Sequence, residues 1–202
     1  MAIKESKKHA MIEQVFKIEG AIKVKKRGFG IVERYQGQGL TLPKRSTKQA
    51  AGYDFAAAED FALPSIWKSG FVKLFWQLKH GTPLKDEDYV QANKVLKPRL
   101  VPTGIKAYMQ EDEVLILANR SSNPLKRGLI LPNGVGVIDA DYYNNDQNEG
   151  EIFFQLVNLG VRDLVIKKGE RIGQGIFMPY LKSDQDDGGT AERLGGFGSS
   201  GR

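Results

Sequence analysis

The chain has 202 residues, 41% of them hydrophobic and 27% charged, which is the size and composition of one globular domain with a small appendage. It has no cysteine and two histidines, which excludes disulfides and cysteine-ligated zinc and argues against a Ser-His-Asp triad. If the chain is an enzyme, we expect its base to be a carboxylate and its metal ligands to be oxygen atoms.

Residues 1–26 form a basic N-terminal extension in which lysines are interspersed with apolar residues. The first 34 residues carry +5 of the net charge of +6, so the basicity belongs to the extension and not to the rest of the chain. This distribution favours a solvated arm over a nucleic-acid interface. Periodicity leaves open whether the extension is helical in its first part and a strand in its second. It contains no apolar segment of the kind found in secretory signals, so a cytoplasmic protein is predicted.

Residues 64–96 differ from their surroundings and predict a helical hairpin. Apolar residues from Ile66 to Leu78 recur at helical spacing, and the sequence His80-Gly81-Thr82-Pro83 interrupts them. A second helix is predicted from Asp86 to Leu96, with acidic residues in its first turn. This hairpin has two interpretations. It is either an addition packed on the body of the protein, which Trp67 and Trp76 cover, or a docking surface for a protein partner.

From Leu100 to Leu181 the sequence predicts β-structure. Short apolar or alternating runs are separated by Gly, Pro, Asn or Asp at intervals of about 10–15 residues. This spacing is typical of an all-β barrel or jelly roll, and no helix is predicted in this half. No apolar run approaches the ~20 residues that span a bilayer, so no membrane contact is predicted.

The C-terminal arm, residues 182–202, is polar and rich in glycine. Such a composition predicts disorder in the free chain. Phe197 stands between glycines in this arm, as expected for a lid that stacks on a flat ligand.

Five stretches occur in the order found in the trimeric dUTPase family, and together they resemble it. They are Ala51-Gly52-Tyr53-Asp54-Phe55, Arg120-Ser121-Ser122, Asn133 to Tyr142, Arg171-Ile172-Gly173-Gln174, and Arg193 to Gly201. The resemblance spans roughly residues 27–60 and 97–202. It implies a distorted jelly-roll barrel over residues 27–181, with the helical insertion at 64–96 and an arm that closes the active site.

The resemblance implies magnesium-dependent hydrolysis of dUTP to dUMP and pyrophosphate. In this family the reaction keeps uracil out of DNA and supplies dUMP for dTMP synthesis. Asp139 matches the general base that activates the attacking water. Tyr142 matches the ring packed under the deoxyribose. The uracil-binding residues implied by the third motif are Asn133, whose side-chain amide would bind the base, and the hairpin backbone of Gly136, Val137 and Ile138.

Phosphate binding is implied for the second, fourth and fifth motifs. Consecutive N–H groups with serine hydroxyls form an anion nest, and arginine adds a planar, permanently charged donor. The matching residues are Arg120, Ser121, Ser122, Gln174, Arg193, Phe197, Gly198, Ser199 and Ser200, with Phe197 stacking on uracil. Arg171 is expected to be structural, pairing within the trimer. Asp54 is expected to contact Mg²⁺ through water, with no direct protein ligand.

Some positions depart from the family pattern, and two alternatives stay open. Asn119 and Gly173 stand where many members have proline and alanine, and the loop after Tyr142 is longer than the common Tyr-x-Gly-Glu turn. The fifth motif is one residue shorter than in many members, which makes the match of Arg193 less direct. The alternatives are a dCTP deaminase of the same fold and a regulatory protein that binds a partner through the insertion. The resemblance favours a bacterial or phage enzyme in which three subunits share each active site.

Overall fold

The computed structural model describes residues 16–18, 21–23, 25–186 and 196, and the following account concerns these residues. They contain fourteen β-strands and three α-helices. The strands are β1 Phe16–Ile18, β2 Ala21–Lys23, β3 Gly28–Ile31, β4 Lys44–Arg45, β5 Tyr53–Ala56, β6 Phe61–Leu63, β7 Arg99–Pro102, β8 Ile105–Tyr108, β9 Glu113–Ala118, β10 Leu129–Ile130, β11 Gly136–Asp139, β12 Phe153–Asn158, β13 Leu164–Ile166 and β14 Arg171–Pro179. The helices are α1 Ser69–Lys79, α2 Asp86–Leu96 and α3 Ser122–Arg127.

The largest sheet has the order β11-β9-β14-β5-β4 and is antiparallel throughout. A three-stranded sheet has the order β10-β12-β7, and β13 with β6 and β3 with β8 form two-stranded ladders. Neighbours in each sheet are mostly distant in sequence, as in a jelly roll, where strands from both halves of the chain alternate. The all-β prediction is confirmed.

One hydrophobic core lies between these sheets. Strand β9 shows how the sequence forms it, since Leu115 and Leu117 are buried and the residues between them are less so. Phe55 and Phe154 meet at the centre with their ring centroids 5.7 Å apart. Each such buried side chain contributes about 1.5–3 kcal/mol to folding. The other core members include Leu63, Val101, Ile105, Leu129, Ile152, Leu156, Ile166 and Ile172.

Gly173 stands where alanine is usual in the fourth motif, and the core explains the exchange. A Cβ atom at this position would overlap the ring of Phe154. The large phenylalanine on β12 and the missing side chain on β14 are therefore complementary, since a close-packed interior leaves no room for both a methyl group and the ring.

The insertion forms the predicted helical hairpin, with α1 and α2 packed against each other. Its attachment to the body lies just before α1. The backbone N–H of Ile66 donates to the carbonyl oxygen of Asn158 over 3.1 Å, and the indole N–H of Trp67 donates to that of Leu159 over 2.9 Å. Trp76 is 58% exposed and stacks on His80. Of the two tryptophans, Trp67 contacts the body as expected and Trp76 does not.

The prediction that the second half contains no helix was wrong, because α3 follows the Arg-Ser-Ser motif. Pro124 lies in the first turn of this helix, where a missing N–H costs nothing. Gly128 ends the helix in the left-handed region at φ 63°. Six residues are too few to show a helical period in the sequence. The proline in the first turn and the glycine after the last turn were therefore the only sequence signals of α3.

In the extension, β1 and β2 pair as a short antiparallel hairpin, so the strand interpretation holds for residues 16–18 and 21–23. The question of a helix in residues 1–15 lies outside the described residues. The first core strand, β3, begins at Gly28.

Candidate active site

Five of the predicted ligand-binding residues line one pocket of about 180 Å³, named here the hairpin pocket. They are Asn133, Gly136, Val137, Ile138 and Tyr142. The remaining lining residues are Leu117, Leu131, Glu151, Phe153, Gln155 and Gly196. The structure therefore brings the third motif together with one residue of the C-terminal arm, Gly196.

Strand β11 forms one wall of the hairpin pocket. It pairs with β9 in the register Gly136 opposite Leu117 to Asp139 opposite Val114. In the described chain β11 is the edge of the largest sheet, so its outer backbone groups face away from the ladder. Such an edge offers both N–H and C=O groups to a planar ligand that carries donors and acceptors.

The turn that leads into β11 differs from the expectation in one detail. The side-chain amide of Asn133 donates to the carbonyl oxygen of Val135 over 2.9 Å. One of the two amide hydrogens of Asn133 is thus engaged within its own turn, which leaves the other hydrogen and the amide oxygen for further contacts. Asn133 shapes the hairpin as well as lining the pocket.

Tyr142 lies at the end of a 3₁₀ turn, Ala140–Tyr142, which begins directly after Asp139. The tyrosine is 6% exposed, and its hydroxyl donates to the carbonyl oxygen of Glu151 over 2.9 Å. Asp139 is only partly buried, at the end of β11. The short turn therefore holds a carboxylate and an aromatic ring on one rigid segment beside the pocket.

Sequence reasoning missed Glu151, Phe153 and Gln155. Phe154 and Leu156 of β12 point into the core, so the alternate residues Phe153 and Gln155 point to the opposite face, where the hairpin pocket lies. The signal was present in the period-two alternation of this strand, but alternation does not tell which structure covers the outer face.

Glu151 is a buried acid behind Tyr142. Its carboxylate accepts hydrogen bonds from Arg34, at 3.0 Å, and from the backbone N–H of Gly104, at 3.1 Å. Burial raises the pKa of Glu151 above its ordinary value, against the opposing influence of the Arg34 charge. Arg34 also lies over the ring of Tyr35, whose pKa burial raises to about 12.

A second group, of four predicted residues and one that was not predicted, Ser46, meets at another end of the largest sheet and is named here the arginine cluster. It consists of Asp54, Arg120, Arg171, Ser46 and Gln174. The Asp54 carboxylate lies 3.3 Å from Nε of Arg120 and 3.0 Å from a terminal nitrogen of Arg171. The Ser46 hydroxyl donates to the same carboxylate over 2.6 Å. Gln174 lies opposite Asp54 in the β14–β5 ladder and donates to the Asn119 carbonyl oxygen over 3.3 Å.

Both carboxylate oxygens of Asp54 are engaged by donors. Burial favours the neutral acid, but the hydrogen bonds from Ser46 and Arg171 and the two arginine charges outweigh it. The pKa of Asp54 is therefore lowered, and the group is an anion that offsets one of the two charges of Arg120 and Arg171. Arg171 pairs with Asp54 of its own chain, and its expected pairing within a trimer stays a prediction. Ser46 was not foreseen at all.

Ser121 and Ser122 stand at the start of α3, beside Arg120. Asn123 fixes this segment, because its buried amide donates to the side chain of Asn119 and to the carbonyl oxygen of Ile172, both over 2.8 Å. The second and fourth motifs are thereby tied together. An Arg side chain and two hydroxyls on a fixed backbone suit the binding of phosphate oxygens.

Asp139, beside the hairpin pocket, and Asp54, in the arginine cluster, are far apart within one chain. Asp139 lies opposite Val114, while Asp54 lies opposite Gln174, which lies opposite Ala118. Four residues along the strands and three strand spacings across the sheet correspond to roughly 20 Å between the backbones of the two acids. Three linked phosphates do not bridge this distance.

The arm residues Arg193, Phe197, Gly198, Ser199 and Ser200 lie outside the described residues. Gly196, between them, lies against the Tyr142 ring, since a Cβ atom built on it would be 2.9 Å from Cε2 of that ring. Among the described residues, no group of three or more His, Asp or Glu side chains could hold a metal ion. None of the described helices has the length and hydropathy needed to cross a membrane.

Comparisons with known proteins agree with this geometry. The model of the dUTPase protein family matches residues 84–201. A deoxyuridine 5′-triphosphate nucleotidohydrolase of Lactococcus lactis is 45% identical over 179 residues, which cover 88% of this chain and 99% of that protein. The crystal structure of a Streptococcus mutans dUTPase superposes with a TM-score of 0.60 at 43% identity, covering 78% of this chain and 98% of that one.

A more distant solved structure shares the fold alone. The dUTPase of phage phi11 of S. aureus, as a mutant described for the coordination of a structural Mg(II) ion, is 15% identical with a TM-score of 0.54. It covers 81% of this chain and 96% of its own.

Proposed function

The chain belongs to the dUTPase family and is a dUTP nucleotidohydrolase, and we propose that Asp139 is the general base of its reaction. In this reaction Asp139 takes a proton from a water molecule, whose oxygen attacks the α-phosphorus in line. The bond from the α-phosphorus to the bridging oxygen breaks, and pyrophosphate leaves as dUMP forms. The observation that carries the proposal is that Asp139 and Tyr142 frame the hairpin pocket on one short turn.

The hairpin pocket is proposed to bind deoxyuridine. The edge backbone of β11, from Gly136 to Ile138, supports this role because uracil carries both donors and acceptors along one edge. Tyr142 would pack under the sugar, and a ribose would bring its 2′-hydroxyl against that ring. Phe197 of the arm would cover the base, and Gly196 beside Tyr142 places the arm near enough to do so.

The arginine cluster is proposed to bind the triphosphate of a nucleotide held by another copy of the chain. The separation of roughly 20 Å supports this arrangement, because a water molecule within about 3 Å of Asp139 cannot attack a phosphate held at Asp54 of the same chain. A homotrimer with shared active sites brings one subunit's pocket to the next subunit's cluster. Ser121, Ser122 and Gln174 would add donors there, and Arg193, Ser199 and Ser200 would add them from the arm.

Mg²⁺ is proposed as the cofactor, carried by the triphosphate. Asp54 fits a contact through water, since one of its oxygens accepts from Ser46 and Arg171 and the other is ion-paired with Arg120. Oxygen donors are those that Mg²⁺ prefers, and it retains several water molecules. When bound, the ion offsets the negative charge of the phosphates.

We place this reaction in the cytoplasm, where the DNA precursors that it acts on are made. It would keep uracil out of DNA and supply dUMP for dTMP synthesis. Deamination of dCTP on the same fold has no comparable support, because the matched motif carries Asp139 and Tyr142 at the places expected of a dUTPase.

The test is pyrophosphate release from dUTP, dCTP, dTTP and UTP with magnesium, for the natural protein and for Asp139→Asn. We expect turnover of dUTP alone, and a loss of about 10²–10⁴-fold in kcat for the variant with little change in KM. Asp141→Asn is the matched control, because Asp141 lies on the same turn and is exposed. Equal losses in both variants, or none in Asp139→Asn, would remove Asp139 from the role of base.

A second function is proposed for the insertion, which is to bind a protein partner. Its support is an exposed apolar face, in which Phe75, Trp76 and Leu78 of α1 are each about 60% exposed. Tyr89 and Val90 of α2 are about half exposed.

This second role predicts that Phe75→Ser with Trp76→Ser leaves dUTP turnover unchanged and abolishes binding of the partner. Variants on α1 suit this test better than deletion of residues 64–96, because Ser65 and Ile66 are buried in the body. A large loss of turnover in the double variant would show that this face supports the active enzyme instead.

A further inference from the structure

The long loop after Tyr142 is held by its own side chains. The Asn145 oxygen accepts from the backbone N–H groups of Gln147 and Asn148, at 3.0 and 3.1 Å. The Asn145 amide donates to the carbonyl oxygen of Tyr142 over 2.9 Å and to the Asn148 side chain over 2.8 Å. A loop with this many internal hydrogen bonds has one conformation, because each of them would be lost in another.

Two strained residues show that the conformation is imposed. Asn144 and Glu149 have positive φ angles, 54° and 57°, in a region that costs free energy for residues other than glycine. Lys106 lies between them and donates to both side chains, at 2.6 and 3.0 Å. Glu149 also accepts from the backbone N–H of Glu33. The ends of the loop are therefore fixed to the body of the protein.

These hydrogen bonds fix the position of the Asn148 side-chain amide. The Asn148 oxygen accepts from the backbone N–H of Gly150 over 3.1 Å, and its amide nitrogen donates to the Tyr142 hydroxyl over 2.8 Å. The same hydroxyl donates to the carbonyl oxygen of Glu151. The phenol oxygen is thus held by one donor and one acceptor.

We propose that Asn148 is a positioning residue for sugar discrimination, which acts by fixing the Tyr142 ring through its hydroxyl. The inference rests on the proposed role of Tyr142 under the deoxyribose. With the Glu151 contact alone, the ring has one anchor and can tilt about it. With the Asn148 amide as well, the ring edge keeps its place in the hairpin pocket, and the space beside carbon 2′ of the sugar stays too small for a hydroxyl group.

The variant that isolates this contact is Asn148→Asp. Its carboxylate keeps an acceptor for Gly150 and Asn145 but has no hydrogen to give to Tyr142. The tyrosine has one proton, which cannot serve both the new carboxylate and the Glu151 carbonyl group, so one anchor is lost. The measured quantity is kcat/KM for dUTP divided by kcat/KM for UTP, and we expect it to fall about fivefold, the weight of one buried hydrogen bond.

A background variant, Tyr142→Phe, separates this role from a general effect on the loop. Without the hydroxyl, Asn148→Asp should change the dUTP-to-UTP ratio no further. A fall of the same size in the phenylalanine background would overturn the inference, since Asn148 would then act through loop shape. Gln147→Ala is the matched control on the same loop and should leave the ratio unaltered.

The proposed role of Tyr142 under the deoxyribose is tested by a separate variant. Tyr142→Ala should lower the dUTP-to-UTP ratio strongly, and an unchanged ratio would remove Tyr142 from the sugar site and the role of Asn148 with it. A lowered ratio in Tyr142→Ala combined with no change in Asn148→Asp would leave the proposed function standing and overturn the role of Asn148 alone.

Discussion

The hairpin pocket and the arginine cluster are built on the same sheet by opposite means. The pocket uses backbone edges, an aromatic ring and hydrogen-bonded amides, and its buried acid, Glu151, has a raised pKa. The cluster uses charged side chains around Asp54, whose pKa is lowered. These differences fit the proposed roles, in which the pocket recognises an uncharged nucleoside and the cluster binds anions.

This difference shows what each region needs from the rest of the chain. Among the described residues, packing and short hydrogen bonds within one chain shape the pocket. In the cluster, Asp54 offsets one of the two arginine charges, so one positive charge remains to attract an incoming phosphate. Three predictions test this contrast.

The largest expected effect is that of Arg120→Ala on phosphate binding. We expect kcat/KM for dUTP to fall about 100-fold, because a bidentate charged donor to phosphate is lost. Inhibition by deoxyuridine, which has no phosphate, should be unchanged if the pocket is independent. The control Arg162→Ala removes the same charge from an exposed site and should have no effect on either quantity. Weaker deoxyuridine inhibition in Arg120→Ala would show that the two regions are coupled.

The second prediction concerns the distance between the regions. Asp139→Asn and Arg120→Ala are each nearly inactive, but subunits of the two variants refolded together should regain activity. In a trimer whose sites pair one subunit's pocket with the next subunit's cluster, random mixing restores about a quarter of the sites. Turnover and the fraction of mixed trimers are measured together. Mixed trimers without recovered turnover would mean that each site belongs to a single chain.

The smallest expected effect is on folding stability as a function of pH, where Asp54 and Glu151 should contribute with opposite signs. Asp54 has a pKa below its ordinary 3.8, so it stabilises the folded state above that pH, and this stabilisation is lost as the pH falls through the folded-state value. Glu151 has a pKa above its ordinary 4.5, so protonation stabilises the folded state as the pH falls from above its folded-state value towards 4.5.

Urea unfolding from about pH 7 to about pH 3, at one protein concentration, measures both terms. The advantage of the natural protein over Asp54→Asn in free energy of unfolding should shrink as the pH falls, and its advantage over Glu151→Gln should grow. If the stability difference from the natural protein changed with pH in the same direction for both variants, the contrast between the two regions would be contradicted.

Much of the fold and of the pocket could be predicted because the signals are local. The short apolar runs of β9 and β12 predict strands, and the turn at Asn133 predicts the hairpin. The motif that ends in Tyr142 is continuous in sequence, so its residues were bound to lie together. The helix α3 was missed because it is too short for its periodicity to show.

The arginine cluster required the tertiary structure, since its members come from β5, β14 and the segments after β4 and β9. Ser46 and Asp54 meet because β4 and β5 pair, and Arg171 reaches Asp54 across the β14–β5 ladder. Nothing in the sequence around Arg171 indicates that its partner lies in its own chain. The same holds for Asn148 and Lys106, whose contacts depend on how the long loop folds back.

The sequence by itself determined the family, the reaction, most of the strands and five of the residues that line the hairpin pocket, because these depend on local pattern and on motifs of fixed spacing. The tertiary structure alone decided which charges pair, which amide contacts the Tyr142 hydroxyl and how far Asp139 lies from the arginine cluster. Charge pairing and hydrogen bonding act over a few ångströms, and only the folded chain sets which groups come within that range.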